Sequence, residues 1–251
     1  MVDLTAHLGI PFSWTGHQDD PLHPLIDAGY EQHVARSLEE LRPFLEDPDA
    51  NGPMYVYHVY EGVHLKSEKD RIRQSGLGID LTMLWPGQLT REWFKTAGHN
   101  HSGARRSTAL GELVEVVNGQ GIFLLQSVRN DRISETLLVS AQAGEWVLIP
   151  PGFEHVTLNT GQDVLALTFL HAQDIYLDYE SMARHRGAGL WIGPDGYRVN
   201  SSYQDVGVIR RLKAHELVKN PAPNVPLYEL VVKYPERFQF LFDPSKPFPW
   251  A

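Results

Sequence analysis

His99 and His101 stand two residues apart in the stretch TAGHNHSGARRSTALGELVEVV. On an extended strand the side-chain period is two, so both imidazoles leave the same face and can reach one metal ion. Glu112 and Glu115 follow in the same stretch. Strand alternation sends them to opposite faces, Glu112 with Val114 and Val116, and Glu115 with Leu113 and Val117. One of the two can therefore join the histidines. With no cysteine in the chain, disulfides, zinc–thiolate sites and a thiol nucleophile are excluded.

Such side chains need short strands to carry them, and the sequence supplies these. MYVYHVYEGVHL, GIDLTMLW, ELVEVV, GIFLLQSV, ETLLVSA, EWVLIP and VLALTFLH are rich in β-branched and aromatic residues. Turn residues such as Pro86-Gly87, Asn118-Gly119, Asn130-Asp131 and Asn159-Thr160-Gly161 separate them. That density points to an all-β sandwich or barrel. LWIGPDGYRV reads as a further hairpin turning at Pro194-Asp195-Gly196, and LYELVVKY and RFQFLF read as strands near the C-terminus. The proline-bearing first 28 residues read as an extended arm. Tyr30, Val34, Leu38 and Leu41 recur at helical spacing and predict a packing helix that Pro43 ends.

The 251 residues carry a formal charge of −9 without basic tracts, which argues against nucleic acid and anionic membranes as partners. No run of 18 apolar residues offers a membrane span, and the N-terminus lacks signal-peptide character, so a cytoplasmic address is expected.

A second motif sharpens the reading. In GEWVLIPPGFEHVTLN, Gly144, Pro150, Gly152, His155 and Asn159 are spaced as in the second motif of the cupin superfamily. The HNH stretch, with six residues between Glu112 and Gly119, resembles the first. The resemblance implies a cupin double-stranded β-helix, a jelly-roll-like barrel, here with an N-terminal helical arm and a C-terminal β extension. It selects Glu112 over Glu115 and puts a metal on His99, His101, Glu112 and His155. Glu115 is then expected to be a solvated or rim charge. Three imidazoles and a carboxylate suit one divalent ion per subunit, Fe(II), Mn(II), Ni(II) or Zn(II). The interval from His101 to Glu112 exceeds the usual cupin spacing; its excess, with Arg105-Arg106, reads as a solvated loop.

TMLWPGQLTREWFKTAGHNH, GELVEVVNGQGIFLLQ and IPPGFEHVTLNTG resemble in particular the cupin-type, metal-dependent glucose-6-phosphate isomerases. The likeness covers roughly residues 41–204, leaving 1–40 as an arm with a helix and 205–251 as an extension packed on the domain or on a partner subunit. It implies a homodimer that interconverts glucose 6-phosphate and fructose 6-phosphate. It also implies that Thr82, Thr96, Gly98 and Tyr179 line the sugar-phosphate site, with Glu112 as proton carrier on a proton-transfer route; a direct hydride shift between C1 and C2 stays open. Two positions depart: Val114 and His171 stand where tyrosines are expected. His171 is a candidate acid/base, since an imidazole titrates near neutrality. An isomerase or epimerase of another sugar, a non-catalytic sugar-binding cupin and an iron dioxygenase are the alternatives.

Overall fold

The computed structural model describes residues 2–14, 28–102, 109–243, 245–246 and 248. Its strands include β1 (Gln32–Ser37), β2 (Tyr55–Glu61), β3 (Leu77–Leu84), β4 (Asn100–Ser102), β5 (Glu112–Asn118) and β6 (Gln120–Arg129). They continue with β7 (Arg132–Gln142), β8 (Trp146–Ile149), β9 (Phe153–Asn159), β10 (Leu165–Ala172), β11 (Tyr176–Asp178) and β12 (Val208–Lys213). A six-stranded sheet has the order β8-β5-β10-β3-β2-β1, and a four-stranded sheet the order β9-β6-β7-β12. Tight turns set the register. Asn130 and Asp131 both take positive φ between β6 and β7, as a two-residue hairpin requires, and Gly119 (φ 83°) turns β5 into β6.

Period-two alternation sorts the side chains into two cores. Val114 and Val116 of β5 join Leu124, Val139 and Val156 between the two sheets. Leu113 and Val117 of the same strand join Leu77, Ile79, Leu81 and Met83 of β3 on the outer face of the six-stranded sheet. Both ends of the chain cover that outer face: Leu4, Leu8, Ile10 and Phe12 from one, Leu227, Tyr228, Val231 and Phe238 from the other. Among the described residues, no helix is long and apolar enough to cross a membrane.

The all-β class stands, and the structure corrects both extensions. The helix expected over Tyr30–Leu41 is β1 followed by a single helical turn, Leu38–Leu41. Spacings of four fit a strand as well as a helix, and the ladder to β2, from Gln32 opposite Glu61 to Ser37 opposite Tyr55, decides for the strand. Ser37 and Glu40 form a capping box that starts the short turn. The expected C-terminal strand LYELVVKY is helix α2 after a short helix α1, at Leu227–Lys233 and Lys69–Ser75 respectively. RFQFLF falls in the 3-10 segment Pro235–Leu241. The run Leu227, Tyr228, Val231, Val232 buries one helical stripe against the outer face, which outweighs the β propensity of its valines and tyrosine. The strand the extension does provide is β12, which pairs parallel with β7 and closes an edge of the smaller sheet. The LWIG–GYRV hairpin forms as expected, with Gly193 opposite Gly196.

Candidate metal centre and cavity

Residues 94–99 run antiparallel along β9 and place the first ligands. Thr96 N–H donates to Thr157 O at 2.9 Å, and His99 and His155 exchange backbone hydrogen bonds at 3.2 and 2.9 Å. His155 is thereby locked beside His99. His101 on β4 follows one alternation further, and Glu112 enters at the start of β5, opposite Ile149 of β8. The candidate ligand nitrogens of His99, His101 and His155 all lie within 4.8 Å of one another. Glu112 closes the group, its Oε2 3.4 Å from His155 Nε2 and its Oε1 3.8 Å from His101 Nε2.

The donor set fits a divalent ion on three counts. Burial pushes His99 down to about 4 and His101 and His155 well below the usual imidazole range, so all three rings are neutral, the form that ligates. His99 Nδ1 faces Ala97 O at 3.2 Å, which makes Nδ1 the donor and leaves Nε2 a lone pair aimed at the group. Glu112 Oε2 and His155 Nε2 are buried and lack a hydrogen-bond partner. Burying such atoms without partners is costly, and a cation between them would satisfy both. Burial also raises the Glu112 carboxyl to about 8, with His171 pulling the other way and Asp80 adding to the rise.

The group opens on a cavity of about 410 Å³, the size of a small-molecule site. Of the residues singled out from the sequence, Thr82, Thr96, His99, Glu112, His155, His171 and Tyr179 line it. Thr96 already uses Oγ1 to accept from Thr157 N–H at 3.0 Å, which leaves its own proton to give. Tyr179 packs its ring 5.2 Å from that of His99. Gly98 is not among the lining residues. A Cβ there would stand 2.6 Å from Val156 Cγ2 and 2.7 Å from Met182 Sδ, so this glycine permits close packing behind His99. Arg105-Arg106 lie outside the described residues.

Two expectations change. Glu115 is no rim charge: it is buried at 6% exposure and accepts hydrogen bonds from Trp146 Nε1 (3.3 Å) and Leu227 N–H (2.9 Å). Facing the outer core, it ties β5 to the start of α2. Nor does His171 titrate near neutrality. Burial works against its charge, but Asp80 Oδ2 at 3.1 Å from Nε2, and after it Glu112, push it up to about 9. That contact is an ion pair off the line of a good hydrogen bond, while Nδ1 meets Ala172 O at 2.9 Å. With a carbonyl at Nδ1 and a carboxylate beside Nε2, both nitrogens favour N–H, so the charged form of the ring is favoured. Gly78 makes room for it, since a Cβ there would fall 2.4 Å from His171 Cε1.

Asp80, Arg36 and Tyr57 also line the cavity and escaped the sequence reading. Asp80 and Thr82 share one face of GIDLTMLW, a signal visible in strand alternation. Arg36 was hidden by the helical reading of its segment.

Two facing, mostly antiparallel sheets with three histidines and a glutamate converging between them define a cupin with a candidate metal group. Residues 36–207 match the family described as Glucose-6-phosphate isomerase (GPI), and the chain belongs to that family. It is 28% identical over 156 residues to the glucose-6-phosphate isomerase of Thermococcus gammatolerans, covering 60% of this chain and 75% of that protein. With the Pyrococcus horikoshii enzyme of the same name the identity is 30% over 141 residues, covering 56% of this chain and 67% of the other. Among solved structures, an oxalate oxidase overlaps 51% of this chain and 57% of its own at 15% identity, with a TM-score of 0.38.

Proposed function

We propose that this chain interconverts glucose 6-phosphate and fructose 6-phosphate, with a divalent ion on His99, His101, Glu112 and His155. The family match supports the reaction, and one observation carries the site: a neutral three-histidine group with an unsatisfied glutamate, set in a cavity of sugar-phosphate size. An ion bound there supplies positive charge for the two oxygens of the sugar that exchange carbonyl and hydroxyl character.

The chain's own residues do the rest. On the aldose, the Glu112 oxygen that the ion would leave free takes the proton from C2 and returns it to C1, while the hydroxyl proton of O2 passes to O1. His171, doubly protonated and anchored by Asp80, places a fixed positive charge beside that carboxylate and supports it while it is ionised. Thr82 and Thr96 offer hydroxyl protons to the sugar phosphate, and the Tyr179 ring packs at a tilt against His99 along the wall. The buried strands around them exclude water from the reacting carbons.

The ion is Fe(II), Mn(II), Ni(II) or Zn(II). The test strips the protein with chelator and reloads it with each ion separately, following fructose 6-phosphate conversion to glucose 6-phosphate. Turnover that requires one of these ions and disappears in Glu112→Ala is the expected result. Bound metal with no turnover of any hexose phosphate would refute the reading. His171, ion-paired to Asp80 where the family resemblance expects a tyrosine, favours one second reading, isomerisation of a different sugar phosphate. Running pentose phosphates and other hexose phosphates in the same assay decides between them.

A further inference from the structure

The cavity wall carries acid as well as hydroxyls: Glu61, Asp80 and Glu112 all line it. A phosphate monoester is close to a dianion at neutral pH, and threonine hydroxyls give it hydrogen bonds without charge. His171 pairs with Asp80, and Arg36, Lys69 and Arg73 add further positive charge to the lining. Of these three, Arg36 lies beside Tyr179, next to the histidine group.

Alternation on β1 turns Val34 and Arg36 toward the cavity, beside Tyr57 of β2, which lies directly opposite Arg36 in the ladder. The Arg36 side chain is 24% exposed, and its Nε is buried with no hydrogen-bond partner. Its acidic neighbour is a poor match. Glu40 Oε1 stands 3.4 Å from Nη1, on a side chain 49% exposed, while Glu40 Oε2 is engaged by the N–H and hydroxyl of Ser37 in the capping box. Loose, half-solvated pairs of this kind contribute little. The Tyr57 hydroxyl is a second side-chain partner, and Nε still has none. Fork geometry is what holds a tetrahedral oxyanion through two parallel N–H bonds.

Position agrees with chemistry. The guanidinium carbon lies 5.8 Å from the centre of the Tyr179 ring, and that ring lies 5.2 Å from His99. Arg36 is thus one aromatic ring removed from the candidate metal group. Arg36 and His99 line the same cavity, so one bound molecule can touch both.

We infer that Arg36 is the phosphate anchor of this cavity, clamping the substrate's phosphate through Nε and a terminal nitrogen while Thr82 and Thr96 orient it. The inference rests on the sugar-phosphate reading of the site, and its test is arranged so that the two can fail separately. Inorganic phosphate is titrated calorimetrically onto the chelator-treated full chain, wild type and Arg36→Gln. The expected loss of affinity is about tenfold or more, since charge-assisted bidentate bonds are the strong ones. Isomerase assays on the reloaded proteins should show KM for fructose 6-phosphate rising by a similar factor at nearly constant kcat, with unchanged metal content and Tm. Arg36→Lys should recover part of the affinity, keeping charge but not the fork.

Glu40→Gln provides a second arm that does not depend on the folding of an arginine variant. Glutamine can still serve in the capping box, but it no longer competes for the guanidinium. Phosphate should then bind about two- to threefold more tightly. Equal phosphate affinity in wild type and Arg36→Gln, or no tightening in Glu40→Gln, overturns the assignment. Phosphate binding that falls with Arg36 in a chain inactive on every sugar phosphate would keep the anchor and sink the isomerase reading.

Discussion

Glu112 and Glu115 sit three residues apart on β5, both buried, and they have opposite fates. Glu112 faces the space between the sheets, where one of its oxygens has no partner and burial raises the carboxyl to about 8. Glu115 faces the outer core, where an indole N–H and a backbone N–H each take one oxygen, although burial still raises it to about 7. Burial therefore does not separate the two carboxylates; hydrogen-bond satisfaction does. The inner face leaves Glu112 Oε2 without a hydrogen-bond partner among the neutral rings of His101 and His155, with the charge of His171 further off, at a cost to the fold. On the outer face the same residue type is a clasp between a strand and the helix that covers it.

The largest effect expected from this contrast is on turnover. Glu112→Ala should lower kcat by about 10³-fold or more with the best metal, as loss of a positioned proton carrier and ligand does. Its chemical-denaturation midpoint without metal should not fall, since an unsatisfied buried carboxyl is removed. A large loss of stability in the metal-free variant would break the comparison. Glu115→Ala should do the reverse, stranding the Trp146 and Leu227 donors at a cost of about 2–4 kcal/mol. Its turnover per folded molecule should match wild type, measured after urea unfolding fixes the folded fraction.

Gly98→Ala comes next, at about 1–3 kcal/mol, because the new methyl overlaps Val156 and Met182. A rise in KM without loss of stability would instead return Gly98 to the substrate wall. A last effect is the pH dependence that Glu115 brings. Burial holds its folded pKa at about 7, above the ordinary carboxylate value of 4.5. The folded state therefore holds this proton more tightly than the unfolded chain. The contribution is complete below about pH 4.5 and is lost as pH rises through about 7. Subtracting the stability–pH curve of Glu115→Gln from that of wild type should isolate a decline of up to about 3 kcal/mol across that window. A flat difference would mean that the two N–H donors fully offset burial.

How far the sequence could be read follows the same division between faces. The strands, the β5–β6 turn, the choice of Glu112 and the convergence of His99, His101 and His155 were all legible, because period-two alternation and motif spacing act locally. What lay beyond local pattern was misread. Tyr30–Leu41 fits helix and strand alike until β2 pairs with it, and that concealed Arg36. LYELVVKY has strand composition, and only the outer face of the larger sheet makes it a helix. Glu115 looked solvated because the helix that buries it lies more than a hundred residues away in sequence, at Leu227. The double protonation of His171 needed Asp80, on a different strand, to be seen.

Strand order in the larger sheet also has a bearing on how the chain reaches this state. β10 lies between β5 and β3, pairing Leu165 with Leu84 on one side and Thr168 with Glu115 on the other. Neither flanking strand can complete its ladder until β10 has been synthesised and inserted, so contacts of long sequence separation control assembly. Folding should be slow for a chain of this size, and the ligand on β5 should reach its final position only when β10 docks. Added metal should then act mainly on the unfolding rate and leave the refolding rate nearly unchanged.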